Sequence, residues 1–387
     1  MKAATTEFLK QRFADYYRDA YLYGPPSVEQ REWGFIFFDP EHPEIRMRRH
    51  IGFSGTDELF AYLRAMTPAH AYYSTAYYSD PQAPTMGEKG WLGADLVFDL
   101  DADHIMRGPY DVMLARVKEE AEKLIDMLTD ELGFSRREMD IVFSGGRGYH
   151  VHIREIAVRG YGSPERRELI DYICGIGIDP GIMLSMRSHS PRGWHHRYIS
   201  SLLEYLIWLE GTEESEAVSR LSVLEGVGKV TAEEFMKRIP ELVRVLESDP
   251  GSVNLRDRVV GRVISALAQD SESGFSERLR EHAALADEPV TTDIKRLIRL
   301  PGSLHGGSGF RVTPLTPGEL GDFDPLVDAV VFGTRDVRVE LAKAVSMPIL
   351  GELYSLERGV QKVPEALAVF LCCRGMAEIA GGGSGAS

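Results

Sequence analysis

The stretch Ala94–His104, ADLVFDLDADH, is an apolar run ending in alternating carboxylates, and the rest of the chain is arranged around it. As a β-strand, its successive side chains point to opposite faces, so Asp99 and Asp101 share one face and Leu100 turns away. Two carboxylates facing one small volume repel each other unless cations neutralise them. Hard divalent ions such as Mg2+ or Mn2+ take oxygen ligands of this kind. For a bare Asp-x-Asp, a strand running into an acidic turn is the commoner explanation, because turn chemistry alone favours Asp. Two later stretches shift that balance.

The chain has 387 residues, 43% hydrophobic and 27% charged, the composition of an ordinary globular protein with one large or two medium domains. A net charge of −15 argues against a protein that coats nucleic acid, although one basic cleft remains compatible with it. Only three cysteines occur, Cys174, Cys372 and Cys373, too few for a disulfide framework or a Cys-rich zinc site, which fits a reducing interior. The N-terminal MKAATTEFLKQRF lacks the apolar region of a signal peptide, and no apolar run approaches the length of a membrane span. The expectation is a cytoplasmic protein without membrane attachment. Residues 381–387, GGGSGAS, form a tail of linker composition.

Phe8, Leu9, Phe13, Tyr16, Tyr17 and Ala20 recur at helical spacing up to Pro25–Pro26. Glu32–Phe38 and Met47–Phe53 predict a hairpin around DPEHPE, and Thr56 is expected to cap a helix through Leu63. Ala71–Tyr78 suits a strand, Tyr110–Leu132 a helix closed by Gly133, and Asp140–Ser144 with Tyr149–Ile153 two strands flanking SGGRG. This order of strands and helices indicates an α/β or α+β sheet domain. Residues 176–197 read as a basic loop, 198–286 as an inserted helical subdomain, and 287–380 as the remainder of the sheet domain, with helices from Thr313 to about Ala380.

Ser144–His150, SGGRGYH, combines glycines that let the backbone approach a ligand with Ser144, Arg147 and His150, all able to hydrogen-bond phosphate oxygens. It is neither a Walker loop nor a dinucleotide fingerprint, and alone it also reads as a hairpin turn with an exposed Arg. Val290–Gly309, VTTDIKRLIRLPGSLHGGSG, offers Asp293 as a third carboxylate and Arg299, Ser303 and His305 as donors around a second glycine-rich turn. Together the three stretches describe carboxylates for two metals and donor-rich loops for a triphosphate, the set that nucleotidyl transfer requires.

FDLD (Phe98–Asp101), SGGRGYH (Ser144–His150) and DIKRLIRLPGSLHG (Asp293–Gly306) resemble, in order and spacing, the catalytic small subunit of archaeal and eukaryotic DNA primase. REWGF (Arg31–Phe35), RRHIGF (Arg48–Phe53) and VPEALAVFLCCRG (Val363–Gly375) extend the likeness over nearly the whole chain. The resemblance implies a mixed-sheet catalytic domain with a helical insertion. It also implies two Mg2+ or Mn2+ ions on Asp99, Asp101 and Asp293, and nucleotide contacts from Ser144, Arg147, His150, Arg299, Ser303 and His305. Asp103, read on the same strand face, lies outside that core set. The implied activity is primer synthesis from NTPs, with dNTPs as alternative substrates, on single-stranded DNA. The implied partner is a primase large subunit carrying an iron–sulfur cluster, for which this chain lacks the cysteines.

The chain departs from the family where relatives carry a zinc knuckle after the Asp-x-Asp strand, since no cysteine lies between Asp103 and Cys174. Cys174 with His189, His195 and His196 is a poor substitute, and zinc is not expected. LEGVGKVTA, within Leu221–Phe235, resembles a helix-hairpin-helix turn that holds a DNA phosphate, though a plain interhelical turn fits it as well. The basic Arg187–Arg197 segment is a second candidate for tracking a template. The competing functions are a primase-like repair polymerase of end joining and a non-catalytic DNA-binding subunit with a degenerate nucleotide site.

Overall fold

The computed structural model describes residues 1–38, 47–186 and 190–380. The chain divides into two compact units, the first made of Met1–Thr129, Gly133–Glu168 and Leu285–Ser387, the second of Asp130–Leu132 and Leu169–Ala284. The helical insertion is expected at 198–286, and the main segment of the second unit begins about 30 residues earlier, at Leu169. Among the described residues no helix is long and apolar enough to cross a membrane.

In the first unit the strands are β1 (Trp33–Ile36), β2 (Arg48–Ile51), β3 (His70–Ser74), β4 (Ala76–Tyr78), β5 (Trp91–Ala94), β6 (Leu96–Asp101), β7 (Met139–Phe143) and β8 (Gly148–Ile153). They continue with β9 (Leu297–Arg299), β10 (Thr313–Leu315), β11 (Asp336–Leu341), β12 (Val345–Ile349), β13 (Glu352–Leu356), β14 (Gly359–Pro364) and β15 (Ala377–Ile379). Two four-stranded sheets, β2-β1-β3-β9 and β10-β7-β8-β6, carry the unit, with β14-β11-β15 and the pairs β12-β13 and β4-β5 beside them. All these pairings are antiparallel, so of the two expected classes the fold is α+β.

Alternation fixes what β6 presents. Val97, Asp99 and Asp101 lie on one face, while Phe98 and Leu100 are fully buried on the other with Tyr149 and Val151 of β8. The strand ends at Asp101, whose Oδ1 accepts Asp103 N–H at 2.9 Å and caps the short helix Ala102–Ile105. Asp103 is therefore on a helix and not on the strand face.

The expected Ala71–Tyr78 strand is split at Thr75, because the buried Arg31 guanidinium takes the Ser74 and Thr75 carbonyls at 3.0 and 2.7 Å. The same side chain meets buried Asp95 at 2.8 Å. The β1–β2 hairpin forms as expected, with its DPEHPE turn outside the described residues. Thr56 is the first helical residue of Thr56–Met66 and not its cap; Gly55 holds that position, and Glu58 reaches back to Ser54 N–H at 2.7 Å.

The helices expected after Thr313 are a correction, since β10–β15 occupy most of that length around the helices Pro325–Asp328 and Glu365–Cys373. DVRVEL in β11 has period two, with Val339 and Leu341 buried and Asp336, Arg338 and Glu340 exposed.

The second unit is helical. Trp194–Gly211, Glu214–Ser222, Lys229–Ser248, Arg258–Gln269 and Gly274–Glu281 close over a core that includes Leu202, Leu206, Leu221, Phe235, Ile239, Ile264 and Phe275. Residues read as a basic loop in fact include the helix Pro180–Ser185, capped by Asp179, and the start of Trp194–Gly211, so His195, His196 and Arg197 are helical. Arg192 and Arg197 pair with Asp130 and Glu131, which offsets their charge; Arg187 and His189 lie outside the described residues. LEGVGKVTA forms the turn between Glu214–Ser222 and Lys229–Ser248, with Gly226 at φ 75°.

Candidate active site

The second sheet and the segments after residue 287 enclose a cavity of about 340 Å³. Asp99 and Asp101 form part of its lining, together with Ser144, Gly146, Arg147 and His150 from the β7–β8 connection and Arg299, His305, Gly307 and Ser308 from the third motif. Of the six residues expected to contact the nucleotide, five line this cavity and Ser303 does not. Its hydroxyl donates to Leu300 O at 2.7 Å inside the turn, where it is buried. Ser308, five residues on, takes the place at the wall and donates to Gly145 O.

The SGGRG turn is built by sterics. Ser144 Oγ accepts Gly146 and Gly148 N–H at 3.3 and 3.2 Å, which closes the connection between β7 and β8. Gly145 has φ 74°, and a Cβ there would meet His305 Cβ at 2.7 Å. At Gly148, opposite Asp101 in the β6–β8 register, a Cβ would lie 2.3 Å from Leu100 O. The absent side chains bring backbone, donors and carboxylates together.

The electrostatics are those of an acid pair short of positive charge. Burial first, then Asp101 and Asp287, raise the Asp99 carboxyl to about 7, against the opposing pull of Arg296 and Arg299. His150, the cross-strand neighbour of Asp99, has Nε2 3.4 Å from Asp99 Oδ1. Burial, reinforced by His152 and Arg299, holds the His150 ring well below its usual range, so it faces the carboxylate as a neutral imidazole. Arg147 is ion-paired to Asp103, and the Tyr110 hydroxyl donates to Gly146 O, steadying the turn.

Asp293, like Asp287, is not among the residues that line this cavity. It ends the five-residue helix Glu288–Thr292, its Oδ1 accepts Lys295 N–H at 2.9 Å, and its charge acts on Arg166 and Tyr78. Asp287, at the other end of that helix, donates its N–H to Asp99 O at 2.8 Å, and its charge is among those acting on Asp99. Although Asp287 occupies the N-cap position, its side chain makes no capping bond. An Asp before Glu-Pro reads as a routine helix start, which concealed it in the sequence. Tyr72, Tyr110, Arg296 and Arg374 also line the cavity; Arg374 arrives from the end of Glu365–Cys373, inside the VPEALAVFLCCRG stretch, where its spacing alone gives it no role.

Among the described residues, no three His, Cys, Asp or Glu side chains converge as a ready cage for a metal. Cys174 donates to Ala284 O at 3.4 Å, and His189 lies outside the described residues. Mg2+ does not require a cage, since it keeps several waters and takes one or two carboxylates plus substrate phosphates. Asp99 and Asp101 on one face fit that requirement, and the Asp99 carboxyl, raised by burial and by the Asp101 and Asp287 charges, marks the negative charge that a cation would relieve.

The DNA primase small subunit family matches residues 98–317, which span all three motifs. The DNA primase small subunit PriS of Methanoregula boonei is 57% identical over 380 residues, covering 98% of this chain and 100% of the relative. That of Methanospirillum hungatei is 56% identical over 382 residues, covering 98% of each. The polymerase domain of Mycobacterium tuberculosis ligase D in complex with DNA aligns with 82% of this chain and 83% of that chain at 15% identity and a TM-score of 0.33, too loose a likeness to carry an argument. The match over the motifs and the near-complete coverage at such identity agree with the acid pair and donor turns gathered in one cavity: the chain belongs to the DNA primase small subunit family.

Proposed function

We propose that the cavity is the nucleotidyl-transfer centre of a DNA primase, and that the chain is its catalytic subunit, joining NTPs into short RNA primers, and dNTPs into DNA, on single-stranded DNA. The observation that carries this reading is the pairing, within one cavity, of Asp99 and Asp101 with two glycine-rich turns rich in donors. Asp99 and Asp101, with Asp287 as the third carboxylate because its charge acts on Asp99, would hold two Mg2+ or Mn2+ ions. When bound, such ions lower the pKa of an attacking 3′-hydroxyl and stabilise the departing pyrophosphate.

The chain's own residues supply the rest. Arg147 and Arg299 offset the triphosphate charge, and a guanidinium does so with paired donors that also fix orientation. Neutral His305 has Nδ1 occupied by Gly307 N–H at 3.1 Å, so its proton is on Nε2, the atom nearest the space beside Gly146. That N–H is a donor for a phosphate oxygen. The 3′-oxygen attacks the α-phosphorus, the bond to the bridging oxygen breaks, and pyrophosphate leaves; the proton of the 3′-hydroxyl passes to solvent. As a small subunit the chain pairs with a primase large subunit, and replication places the pair in the cytoplasm.

Mn2+ binding followed by electron paramagnetic resonance tests the ligand set. Asp287→Asn is expected to weaken binding at least about tenfold, and Asp293→Asn to leave it within about twofold. The opposite order would restore Asp293 to the site, and unchanged binding in Asp99→Asn/Asp101→Asn would remove the metal reading altogether.

A further inference from the structure

His70 begins β3 and does not line the cavity, yet two of the cavity's donor-bearing elements converge on one of its atoms. Arg299 Nη1 lies 2.7 Å from His70 Nδ1, and Gly306 N–H donates to the same nitrogen at 3.3 Å. A guanidinium has donors only, so Nδ1 carries no hydrogen and the ring proton is on Nε2. Burial, helped by the Arg299 charge, depresses the ring to about 3 and keeps that acceptor available at neutral pH.

The contacts around the ring are close. A Cβ on residue 306 would lie 2.8 Å from His70 Nε2 and 2.9 Å from Ala69 O, so only glycine lets the turn reach the imidazole. His305 stands edge-on to His70 at 4.9 Å and 88°. On the other side His70 stacks with Tyr72 at 6.0 Å, and the Arg299 guanidinium lies 5.1 Å above that Tyr72 ring. Arg299 is thereby held between an aromatic face and an imidazole nitrogen, while the same nitrogen anchors the turn that carries His305.

We infer that His70 is a positioning residue for nucleotide binding, its Nδ1 fixing the Arg299 guanidinium and the His305–Ser308 turn at one separation so that both meet the same phosphate chain. This rests on the reading of the cavity as the nucleotide site. A packing residue would need only its ring. A positioning residue needs the acceptor.

Two substitutions separate these roles. His70→Phe keeps a ring and removes the acceptor; His70→Asn loses the ring and keeps an oxygen able to stand where Nδ1 stands. In primer synthesis on single-stranded DNA by the full-length chain, His70→Phe is expected to raise the NTP KM about tenfold with kcat within about threefold. His70→Asn should stay within about threefold of wild type in KM. In the background of Arg299→Ala, His70→Phe should cost less than it does alone, because one of the two aligned groups is already gone.

An unchanged KM in His70→Phe overturns the proposal, as does an Asn variant impaired as much as Phe, or full multiplication of the His70 and Arg299 effects. If Arg299→Ala itself leaves the NTP KM at the wild-type value, the nucleotide-site reading fails, and the inference falls with it for that separate reason. Should His70→Phe not fold, 15N shifts of the wild-type imidazole decide: a proton on Nε2 and an unprotonated Nδ1 at pH 7 are expected, and the reverse tautomer excludes Nδ1 as the acceptor.

Discussion

Replacing Gly148 with Ala probes how tightly the chemistry depends on β6–β8 packing. The added methyl would lie 2.3 Å from Leu100 O and 3.3 Å from Asp101 Cα, where carbon contacts normally settle at about 3.5 Å. Relief requires roughly 1 Å of separation between two hydrogen-bonded strands, and overpacking of this kind costs about 1–3 kcal/mol. At about 2 °C per kcal/mol for a large domain, the midpoint of thermal unfolding should fall by about 2–6 °C. The separation falls at Asp101, the register partner of Gly148, and a misplacement of about 1 Å at a reacting centre costs on the order of 100-fold in rate. The assay is pyrophosphate release during primer synthesis beside thermal denaturation of the same preparation. Gly87, where a Cβ meets nothing within 4 Å, provides the control, and Gly87→Ala should change neither readout appreciably. Wild-type turnover and stability in Gly148→Ala would refute the claim that this glycine's missing side chain sets the position of Asp101.

Three further outcomes follow from the same geometry. His70, His150, His152 and His305 are all depressed below the ordinary histidine value of 6.5, chiefly by burial, His70 to about 3 and His152 to about 4. A lowered folded-state pKa means that their contribution is complete above about pH 6.5 and is lost as the pH falls below it, by at most on the order of 1 kcal/mol per ring per pH unit. The melting temperature should therefore drop between pH 6.5 and 5.5, the four rings together outweighing Asp99, whose raised carboxyl takes up its proton from about 7 downward and acts in the opposite sense, and a flat profile there would contradict the neutral-histidine assignment. Arg31→Met takes the nearest guanidinium from buried Asp95, which keeps the Tyr77 hydroxyl at 2.7 Å and Arg154 at 3.8 Å, and should cost about 3 kcal/mol in urea unfolding, with part of the loss recovered in Arg31→Met/Asp95→Asn; equal stability of Arg31→Met and wild type would show the pair to be dispensable. Asp287→Asn should lower primer synthesis by on the order of 100-fold or more and Asp293→Asn by less than about fivefold, and steady-state rates in the reverse order would return the third carboxylate to residue 293.

Much of the site was legible because its residues sit where local rules are strong. An apolar run ending in Asp-x-Asp gives a strand with both acids on one face, and SGGRG between two strands gives a turn whose backbone lies close to its neighbours. The third motif was legible only in part. Asp287 and Asp293 bracket a five-residue helix, and no pattern in the residues says which end faces β6; at 1.5 Å per residue they stand about 9 Å apart along its axis. Ser303 and Ser308 flank His305 in one tight turn, and only the path of the backbone through Gly309, at φ 77°, decides which hydroxyl reaches the cavity. The C-terminal strands were missed because they are short and charged on one face, with a period that shows only once the buried partners Val339 and Leu341 are known. His70 belongs to no local motif, Arg374 lies in the Val363–Gly375 stretch without a spacing that gives it a role, and tertiary packing brings both near the site.

The central claim is that Asp99 and Asp101 make this cavity a metal-dependent nucleotidyl-transfer centre. It is tested most directly by incubating the chain, with its large subunit, with single-stranded DNA, labelled NTPs and Mg2+ or Mn2+, beside Asp99→Ala/Asp101→Ala prepared in the same way. Primers and stoichiometric pyrophosphate from the wild type, with neither product from the double variant at equal fold stability, is the predicted result. Equal synthesis by both proteins would contradict it.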